Sequence, residues 1–309
     1  MCQVLGQSTS GYYAWCRRAE SVHAQRDRQL RVLVRASFDA SKQRYGSPRI
    51  HEDLREQKVR VSRKRVIRLM QEDGLQARAR KRFKGTTMSD HDQPVAANLL
   101  DRQFTAVGPN RRWVGDTTEF IIGESGKLYL AAILDLFSRF IVGWAVSAVN
   151  DRHLTLKALA MALKRRWPDA GLLHHSDQGC TYASDEYQRM LDANGITCSM
   201  SRRGNCYDNA VMEAFFSSLK SETADRFASC GEAKMELFDY IEVFYNQRRR
   251  HSTLGQISPA EFERRQHEEG MEPMENRQER GFPQAPHPSS LSMKEDKTTK
   301  TDQLSDTVH

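Results

Sequence analysis

Apolar residues recur every three or four positions through the first quarter of the chain, and this spacing predicts helices. The first predicted helix covers residues 24–44, and a second follows Ser47-Pro48, a capping residue with a proline in the first turn. A third begins at Ser62 and ends near Gly74, and its outward positions are basic: Arg63, Lys64, Arg65 and Arg68. Two helices, a short turn and a basic outer face are typical of a helix-turn-helix unit that binds DNA. A charged solvent face on any small helical bundle has the same pattern.

From residue 111 the pattern changes to runs rich in aromatic and β-branched residues, which predict strands. Three such runs separated by turns are "RRWVGDTTEFII", "KLYLAAILDLF" and "RFIVGWAVS". After them we predict a helix at 152–166, a strand at 171–175, a helix at 184–194, a strand at 196–200 and a long helix from about 209. Three antiparallel strands followed by alternating helices and strands form a mixed α/β sheet.

Four regions follow from these patterns. We predict a basic, helix-turn-helix-like DNA-binding region at 1–84, a connector at 85–110, an α/β core with C-terminal helices at 111–263 and a disordered tail at 264–309. The tail is rich in Glu, Lys, Ser, Thr, Pro and Gln and has a single aromatic residue, Phe282, so it lacks the apolar surface that a folded core needs.

Charge is distributed unevenly along the chain. The net charge is +7, but the first 90 residues hold 21 Lys and Arg against 9 Asp and Glu. A basic front end predicts a polyanionic partner for that part of the chain. The six cysteines are scattered without a C-x2-C pair, which argues against a zinc ribbon and a disulfide framework. No apolar run reaches the ~18 residues that span a bilayer, and the first twenty residues lack a signal-peptide pattern, so we expect a cytoplasmic protein without a membrane partner.

Three acidic residues stand in places where a carboxylate needs an explanation. Asp116 lies inside the first strand, Asp177 directly follows the fourth, and Glu213 is surrounded on its helix by apolar residues, which predicts that it is half-buried. If the three meet, they form a set of hard oxygen ligands that selects Mg²⁺ or Mn²⁺. Two such ions would promote an in-line displacement at a phosphodiester. Taken singly, each residue has an ordinary alternative as a turn, a cap or a solvated helix position.

The spacing of these acids and the sequence motifs around them resemble those of one known family. Asp177 and Glu213 are separated by 35 residues, the Asp, Asp, thirty-five, Glu arrangement of DDE transposases and retroviral integrases. The segments "WVGDTTEF", "YLAAILDLFSRFIVGW", "HHSDQGCTYAS", "SRRGNCYDNAVMEAFFSSLKSE" and "YNQRRRHSTLGQISPAEFE" resemble the OrfB transposase subunit of the insertion-sequence-three family. The resemblance runs from the start of the chain to about residue 263.

This resemblance implies an RNase H-like core and a bacterial, nucleoid-associated enzyme with Asp116, Asp177 and Glu213 as ligands of two metal ions. It implies metal-dependent cleavage at insertion-sequence ends and strand transfer by the exposed 3′-OH, without a covalent enzyme–DNA intermediate. The implied partners are double-stranded DNA, as element ends and target, and an upstream OrfA, separate or fused. Because two element ends must be brought together, we also expect a homo-oligomer on DNA.

Further residues are assigned around the acids. Lys220 matches the family's basic position seven residues after the glutamate, and His175 matches its histidine before Ser-Asp. Gln178 and Gly179 are expected to form a sharp turn beside the phosphate, and Asp208-Asn209 to cap the helix of Glu213. The remaining candidate DNA contacts are Arg202, in a predicted mobile loop at 202–205, and Arg248 and Arg249, in the basic cluster "YNQRRRH".

Two residues of the same motifs are expected to be structural. Asp135 also fits a family motif, but a hairpin cap with Ser138 or Arg139 explains it, and His174 is expected to pack on the face of the strand opposite His175. Two other functions remain open from the sequence: an RNase H-like nuclease without strand transfer, and a DNA-binding regulator whose catalytic core is inactive.

Overall fold

Serine hydroxyls begin three of the four helices at the amino end of the chain. A computed structural model describes residues 2, 4–78, 95–202, 206–224 and 226–271. The hydroxyls of Ser8, Ser21 and Ser62 accept backbone N–H groups of the following turn, while Gly46 takes the cap position predicted for Ser47. The four helices are α1 (Thr9–Cys16), α2 (Val22–Ala40), α3 (Ser47–Glu56) and α4 (Arg63–Glu72).

Helix α2 is shorter than predicted at its carboxyl end. It ends at Ala40, and Lys42 and Gln43 follow with φ angles of 54° and 62°. Left-handed residues cannot continue a right-handed helix, so the chain turns here and α3 begins seven residues after the end of α2.

The predicted sheet is confirmed, with its three antiparallel strands first in the chain. The strands are β1 (Arg112–Ile122), β2 (Gly126–Asp135), β3 (Ile141–Ser147), β4 (Leu173–Ser176), β5 (Thr197–Met200) and the short β6 (Arg226–Phe227). Their order is β3-β2-β1-β4-β5, with β6 paired to the end of β1. Strands β1, β2 and β3 pair antiparallel, whereas β4 and β5 run parallel to β1. Strand β1 is therefore central, and it joins the antiparallel half to the parallel half.

The helices between and after the strands cover both faces of the sheet. They are α5 (Arg152–Arg166), α6 (Asp185–Ala193), α7 (Ala210–Glu222), α8 (Cys230–Phe238) and α9 (Pro259–Met271). A 3₁₀ turn precedes α7 at Cys206–Asn209, a π-helical segment follows α8 at Asp239–Tyr245, and another 3₁₀ turn lies at Ser252–Leu254. One hydrophobic cluster holds Trp113 and residues of α5 and α6, and the other holds Val114, Phe120 and residues of α7 and the π-helical segment.

The helix-turn-helix-like part and the core share this second cluster. Val34, Phe38, Ile50, Leu54 and Val66 pack in the same cluster as the residues of β1 and α7. Helices α2–α4 and the sheet accordingly belong to one unit, Met1–Arg265.

The predicted tail begins too early. The remaining unit is Gln266–His309, and its described part is the end of α9, which stays helical to Met271. Residues 264–271, expected to be disordered, are therefore helical, because the Glu- and Arg-rich segment forms Arg–Glu pairs three and four residues apart at Arg264, Arg265 and Glu261. The rest of the predicted tail, 272–309, and part of the connector, 85–94, lie outside the described residues. Among the helices that the structure describes, none is long and apolar enough to cross a membrane.

Candidate active site

Asp116 projects from the middle of the central strand. Side chains alternate along β1, so Asp116 shares the face of Val114 and Phe120, which pack in the cluster that holds α7. The side chain is half-buried, and its Oδ1 accepts the backbone N–H of Thr117 at 2.7 Å. The sheet thus presents this carboxylate towards the layer that contains α7.

Asp177 reaches the same face through the register of two parallel strands. Val114 of β1 pairs with His175 of β4, and Asp116 and Asp177 lie two residues beyond that pair. Neighbouring strands are about 4.8 Å apart, so the register brings the two aspartates side by side. Asp177 is half-buried, and its Oδ1 accepts the N–H of Gly179 at 3.0 Å. The expected turn at Gln178 and Gly179 therefore folds back onto Asp177.

Glu213 lies in the first turn of α7, the helix that contacts β1. The prediction that it is half-buried was wrong, because its side chain is exposed. The apolar neighbours in sequence, Met212, Phe215 and Phe216, are buried on the other side of the helix. Helical periodicity separates residues that are adjacent in sequence, so apolar flanks alone do not bury a glutamate.

Asp177 and Glu213 both act electrostatically on Asp116. Burial raises the pKa of Asp116 well above its usual range, and the negative charges of Asp177 and then Glu213 raise it further. Neighbouring protein atoms that displace water raise the pKa of Glu213 as well. We call Asp116, Asp177 and Glu213 the acidic trio. Such a group ionises fully only when positive charge is brought to it.

Within the described ranges, no three His, Cys, Asp or Glu side chains lie close enough together to hold a metal ion as they stand. The donor chemistry of the acidic trio nevertheless fits a hard cation, since it supplies carboxylate oxygens without thiolate or imidazole. A divalent ion would also relieve the repulsion that raises the pKa of Asp116. A divalent ion held by these three carboxylates would therefore need their side chains to move closer together, and it would meet the kind of ligand that it prefers.

His175 connects β4 to β5. The Ser199 hydroxyl oxygen accepts two backbone N–H groups, so its proton is donated to Nδ1 of His175 at 2.9 Å. The Nε2 atom of His175 then donates to Ser201 at 3.2 Å. Burial lowers the pKa of His175 to about 4, so the ring is neutral at pH 7. These hydrogen bonds of His175 thus hold β4, the strand that ends immediately before Asp177.

His174 packs on the opposite face, in agreement with the structural role expected for it. Its Nε2 lies 3.1 Å from the hydroxyl of Tyr187, and burial lowers its pKa to about 3. The ring lies directly over Gly115, where a Cβ atom would be 3.1 Å from Nε2. A larger residue at this position would require the His174 ring to shift by a few tenths of an ångström.

The predicted cap of α7 needs a correction. Asn209 occupies the cap position, but its side chain makes no capping bond and instead donates from Nδ2 to the Gly115 carbonyl of β1 at 3.3 Å. Asp208 is fully buried and accepts hydrogen bonds from Arg202, Arg102 and Asn98. These two residues therefore attach the start of α7 to the core.

Asp135 has the structural role that the sequence suggested, and the expected contact with Arg139 is a hydrogen bond from the Arg139 N–H to the Asp135 carbonyl at 2.8 Å. Its carboxylate accepts the backbone N–H groups of Phe137 and Asn110 at 2.8 and 2.7 Å, whereas Ser138 donates to Glu263. Burial raises the pKa of Asp135 to about 6. Asp135 thus closes the turn after β2. Its charge is not among those that shift the pKa of Asp116.

The basic face of α4 is partly occupied by internal ion pairs. Arg65 and Arg68 each lie 2.6 Å from an oxygen of Asp27 on α2, and Arg68 also pairs with Glu72. Arg63 and Lys64 are exposed, and neither has an ion pair within the part of the chain that the structure describes. Arg63 and Lys64 remain predicted DNA contacts, whereas Arg65 and Arg68 would have to leave their carboxylate partners to contact DNA.

Of the later basic candidates, Arg249 is contradicted by the structure. It is 4% exposed and lies 2.7 Å from Glu222, so it cannot meet a phosphate at the surface. Arg248 is exposed and remains a predicted contact. Arg202 is half-exposed and pairs with Asp208, and residues 203–205 of its predicted loop lie outside the described residues.

Lys220 follows Glu213 by two helical turns on the same side of α7. Its Nζ lies 5.4 Å from the centre of the Phe120 ring, on the β1 face that carries Asp116. Lys220 therefore stays a predicted phosphate contact beside the acidic trio.

The sequence pattern did not draw attention to Glu222, the residue of α7 whose ion pairs are buried. Glu222 is 7% exposed and is hydrogen-bonded to Arg49, Tyr240 and Arg249. A signal was available, because Glu222 follows the buried residues Phe215 and Leu219 by seven and three positions and so continues their helical face.

Three family models match the chain. An HTH-like domain matches residues 24–83, and integrase core domain models match residues 106–206 and 194–259. The chain is 42% identical over 270 residues to the insertion element IS600 uncharacterized 31 kDa protein of Shigella sonnei, which covers 87% of this chain and 99% of that protein. It is 40% identical over 267 residues to the transposase InsF for insertion sequence IS3A of Escherichia coli (strain K12), covering 85% of this chain and 92% of that protein.

Solved structures that match parts of the chain include an integrase catalytic core domain and an intasome. The HTLV-2 integrase catalytic core domain in complex with magnesium matches with a TM-score of 0.40 and 16% identity, over 51% of this chain and 99% of that chain. The simian T-cell lymphotropic virus intasome in complex with PP2A regulatory subunit B56 gamma matches with a TM-score of 0.43 and 14% identity, over 76% of this chain and 73% of that chain.

Proposed function

The chain belongs to the insertion-sequence transposase family that includes InsF of IS3, and from this premise we propose that Asp116, Asp177 and Glu213 are its catalytic carboxylates. The chain is a DNA transposase with an integrase core and an HTH-like domain. The observation that carries the site assignment is the register of β1 and β4, which brings Asp116 and Asp177 side by side on a sheet whose strand β1 contacts α7, the helix of Glu213.

The reaction is cleavage at the element ends followed by strand transfer, in which the exposed 3′-OH attacks a phosphodiester of the target. Asp116, Asp177 and Glu213 would hold two divalent ions, Mg²⁺ or Mn²⁺. When bound, such ions supply the positive charge that stabilises the attacking and leaving oxygens of the displacement. Both steps are displacements at phosphorus, so one set of carboxylates serves both without a covalent enzyme–DNA intermediate.

The rest of the site holds these groups and the DNA. Gly179 orients Asp177 through its N–H. A hydrogen bond of His175 holds β4, the strand that precedes Asp177. Asn209 ties the start of α7 to the strand of Asp116, which fixes Glu213 relative to the aspartates. Lys220, on the side of α7 that carries Glu213, binds a phosphate of the DNA.

The partners follow from the family and from the charge of the amino end. The region at 1–84 binds double-stranded DNA, with Arg63 and Lys64 as exposed phosphate contacts. An upstream OrfA, as a separate chain or a fusion, contributes to recognition of the element ends, and the active complex on DNA holds at least two copies. The enzyme works on the bacterial nucleoid. The region 111–263 is the catalytic core, and the connector at 85–110 joins it to the DNA-binding region at 1–84.

The test is cleavage and joining of labelled DNA that carries the ends of the chain's own element, in Mg²⁺ or Mn²⁺. The wild type is compared with Asp177→Asn and with Glu119→Gln, a control in β1 whose exposed carboxylate pairs with Lys127. We expect metal-dependent products from the wild type and the control and none from Asp177→Asn. Products that persist in Asp177→Asn would refute the site assignment.

The same assay separates the other two functions. Cleavage without joining, when a pre-nicked end is supplied, would favour a nuclease. Products from none of the three proteins would direct the test to a longer protein that includes the OrfA segment. Normal biological activity of Glu213→Gln would favour a DNA-binding regulator with an inactive core.

A further inference from the structure

Glu222, in the last turn of α7, is the centre of a buried set of charged hydrogen bonds. Its two carboxylate oxygens accept from Arg249 at 2.7 and 2.8 Å, from Arg49 at 3.2 Å and from the hydroxyl of Tyr240 at 3.0 Å. We call these four residues the Glu222 network. Its members are largely removed from water, with Tyr240 at 0% and Arg249 at 4% exposure.

The Glu222 network joins three parts of the chain. Arg49 belongs to α3 of the helix-turn-helix-like part, Tyr240 to the π-helical segment and Arg249 to the basic cluster after it. Arg44, between α2 and α3, adds a hydrogen bond from Nε to the Glu222 carbonyl at 3.0 Å. The end of α7 is therefore held by the DNA-binding part on one side and by the carboxyl-terminal part of the core on the other.

Charge pairing makes this attachment strong. Burial alone would raise the pKa of Glu222, but the charges and hydrogen bonds of Arg249 and Arg49 outweigh it and lower the pKa below its usual range. An ionised carboxylate that is buried between two guanidinium groups has little freedom to move, because each departure leaves a buried charge unpaired.

Glu213 and Glu222 are on one continuous helix, nine residues apart. At 1.5 Å per residue the separation along the axis is about 14 Å, so a small tilt or slide at the end of α7 moves its first turn. A displacement of about 1 Å at a reacting centre can reduce a rate about 100-fold.

We propose that Glu222 is a positioning residue for transposition, which through Arg49 and Arg249 sets the placement of α7 and hence of Glu213. The proposal rests on the function proposed for Glu213 above. It assigns to α3 a second task beside DNA binding: its Arg49 transmits the position of the helix-turn-helix-like part to the acidic trio.

The test measures kcat and KM for cleavage of the labelled element-end DNA by the full chain. Arg49→Gln and Glu222→Gln remove one charge each, Arg49→Lys keeps the charge, and Glu119→Gln is the matched control, on β1 with an exposed carboxylate that pairs with Lys127. We expect kcat to fall at least about 10-fold in both network glutamine variants, with KM within about twofold of wild type. Arg49→Lys should recover part of the loss, and Glu119→Gln should match the wild type.

Amide hydrogen exchange over residues 210–222 provides a second measurement that needs no activity. We expect about 10-fold faster exchange in Arg49→Gln and no change in Glu119→Gln. Unchanged exchange together with an unchanged kcat overturns the proposal. A fall in kcat that merely follows the fraction of unfolded protein in a thermal melt, or a fall matched by Glu119→Gln, also overturns it.

Asp177→Asn in the same series distinguishes the two proposals. If Asp177→Asn keeps its activity, the catalytic assignment fails. If it is inactive while Arg49→Gln and Glu222→Gln keep the wild-type kcat, only the role of Glu222 fails.

Discussion

The two ends of α7 place the same side chain in opposite environments. Glu213, in the first turn, is exposed, and its negative charge adds to the burial and the Asp177 charge that raise the pKa of Asp116. Glu222, in the last turn, is buried and paired with two arginines. The surroundings raise the pKa of Glu213 and lower that of Glu222.

This difference separates a group arranged for chemistry from a group arranged for attachment. Like charges brought together are unfavourable for folding, so carboxylates that stay together in a fold are candidates for a functional site. Opposite charges buried together hold elements in register, and removal of one partner leaves the other buried and unpaired. Both arrangements depend on one helix of 13 residues.

The largest expected effect is on activity, at the amino end of α7. Glu213→Gln should reduce cleavage and joining by at least about 1,000-fold, because one carboxylate of the acidic trio is neutralised. Its melting temperature should equal or exceed that of the wild type, since a partly desolvated negative charge is removed. An inactive variant with a lowered melting temperature would instead assign Glu213 a role in folding.

The largest expected effect on stability is at the other end. Glu222→Ala should lower the free energy of unfolding by about 3 to 5 kcal/mol, because Arg49 and Arg249 are left without their carboxylate. Chemical denaturation measures this change. The exposed Glu119→Ala serves as a control that should leave the midpoint unchanged, and an equal shift in both variants would contradict the contrast.

Acidity should affect the two glutamates in opposite directions. The pKa of Glu222 is lowered in the folded chain, so its stabilisation is present above pH about 4.5 and is lost as the pH falls through the folded pKa. The pKa of Glu213 is raised, so its contribution is present below pH about 4.5 and is lost as the pH rises through the folded pKa.

Melting curves between pH 3 and pH 7 provide the measurement. The deficit of Glu222→Gln relative to wild type should shrink towards low pH, whereas Glu213→Gln should gain on the wild type as the pH rises. Parallel curves for the two variants would remove the electrostatic basis of the comparison.

The smallest expected effect is at the junction of α7 with β1. Asn209→Ala removes the hydrogen bond to the Gly115 carbonyl and should lower the free energy of unfolding by about 1 kcal/mol. If Asn209 also orients Glu213, kcat should fall while KM for DNA stays constant. An unchanged kcat in a folded variant would limit Asn209 to stability.

The sequence alone determined the elements and the candidate acids. Strands β1 to β5 follow from alternating and β-branched runs, and α5 was predicted with its observed bounds, because local periodicity reflects which face of an element is buried. The positions of Asp116 and Asp177 on or after strands were predicted for the same reason, and the 35-residue spacing to Glu213 is a property of the chain itself.

Only the tertiary structure decided which charges meet. The sequence placed Arg249 and Arg65 among the DNA contacts, yet the first is buried against Glu222 and the second is paired with Asp27. It predicted a half-buried Glu213 and passed over Glu222, whose partners lie 173 and 27 positions away. Pairing between distant residues depends on how helices and strands pack, and a local pattern of apolar and polar positions contains no information about a partner so far along the chain.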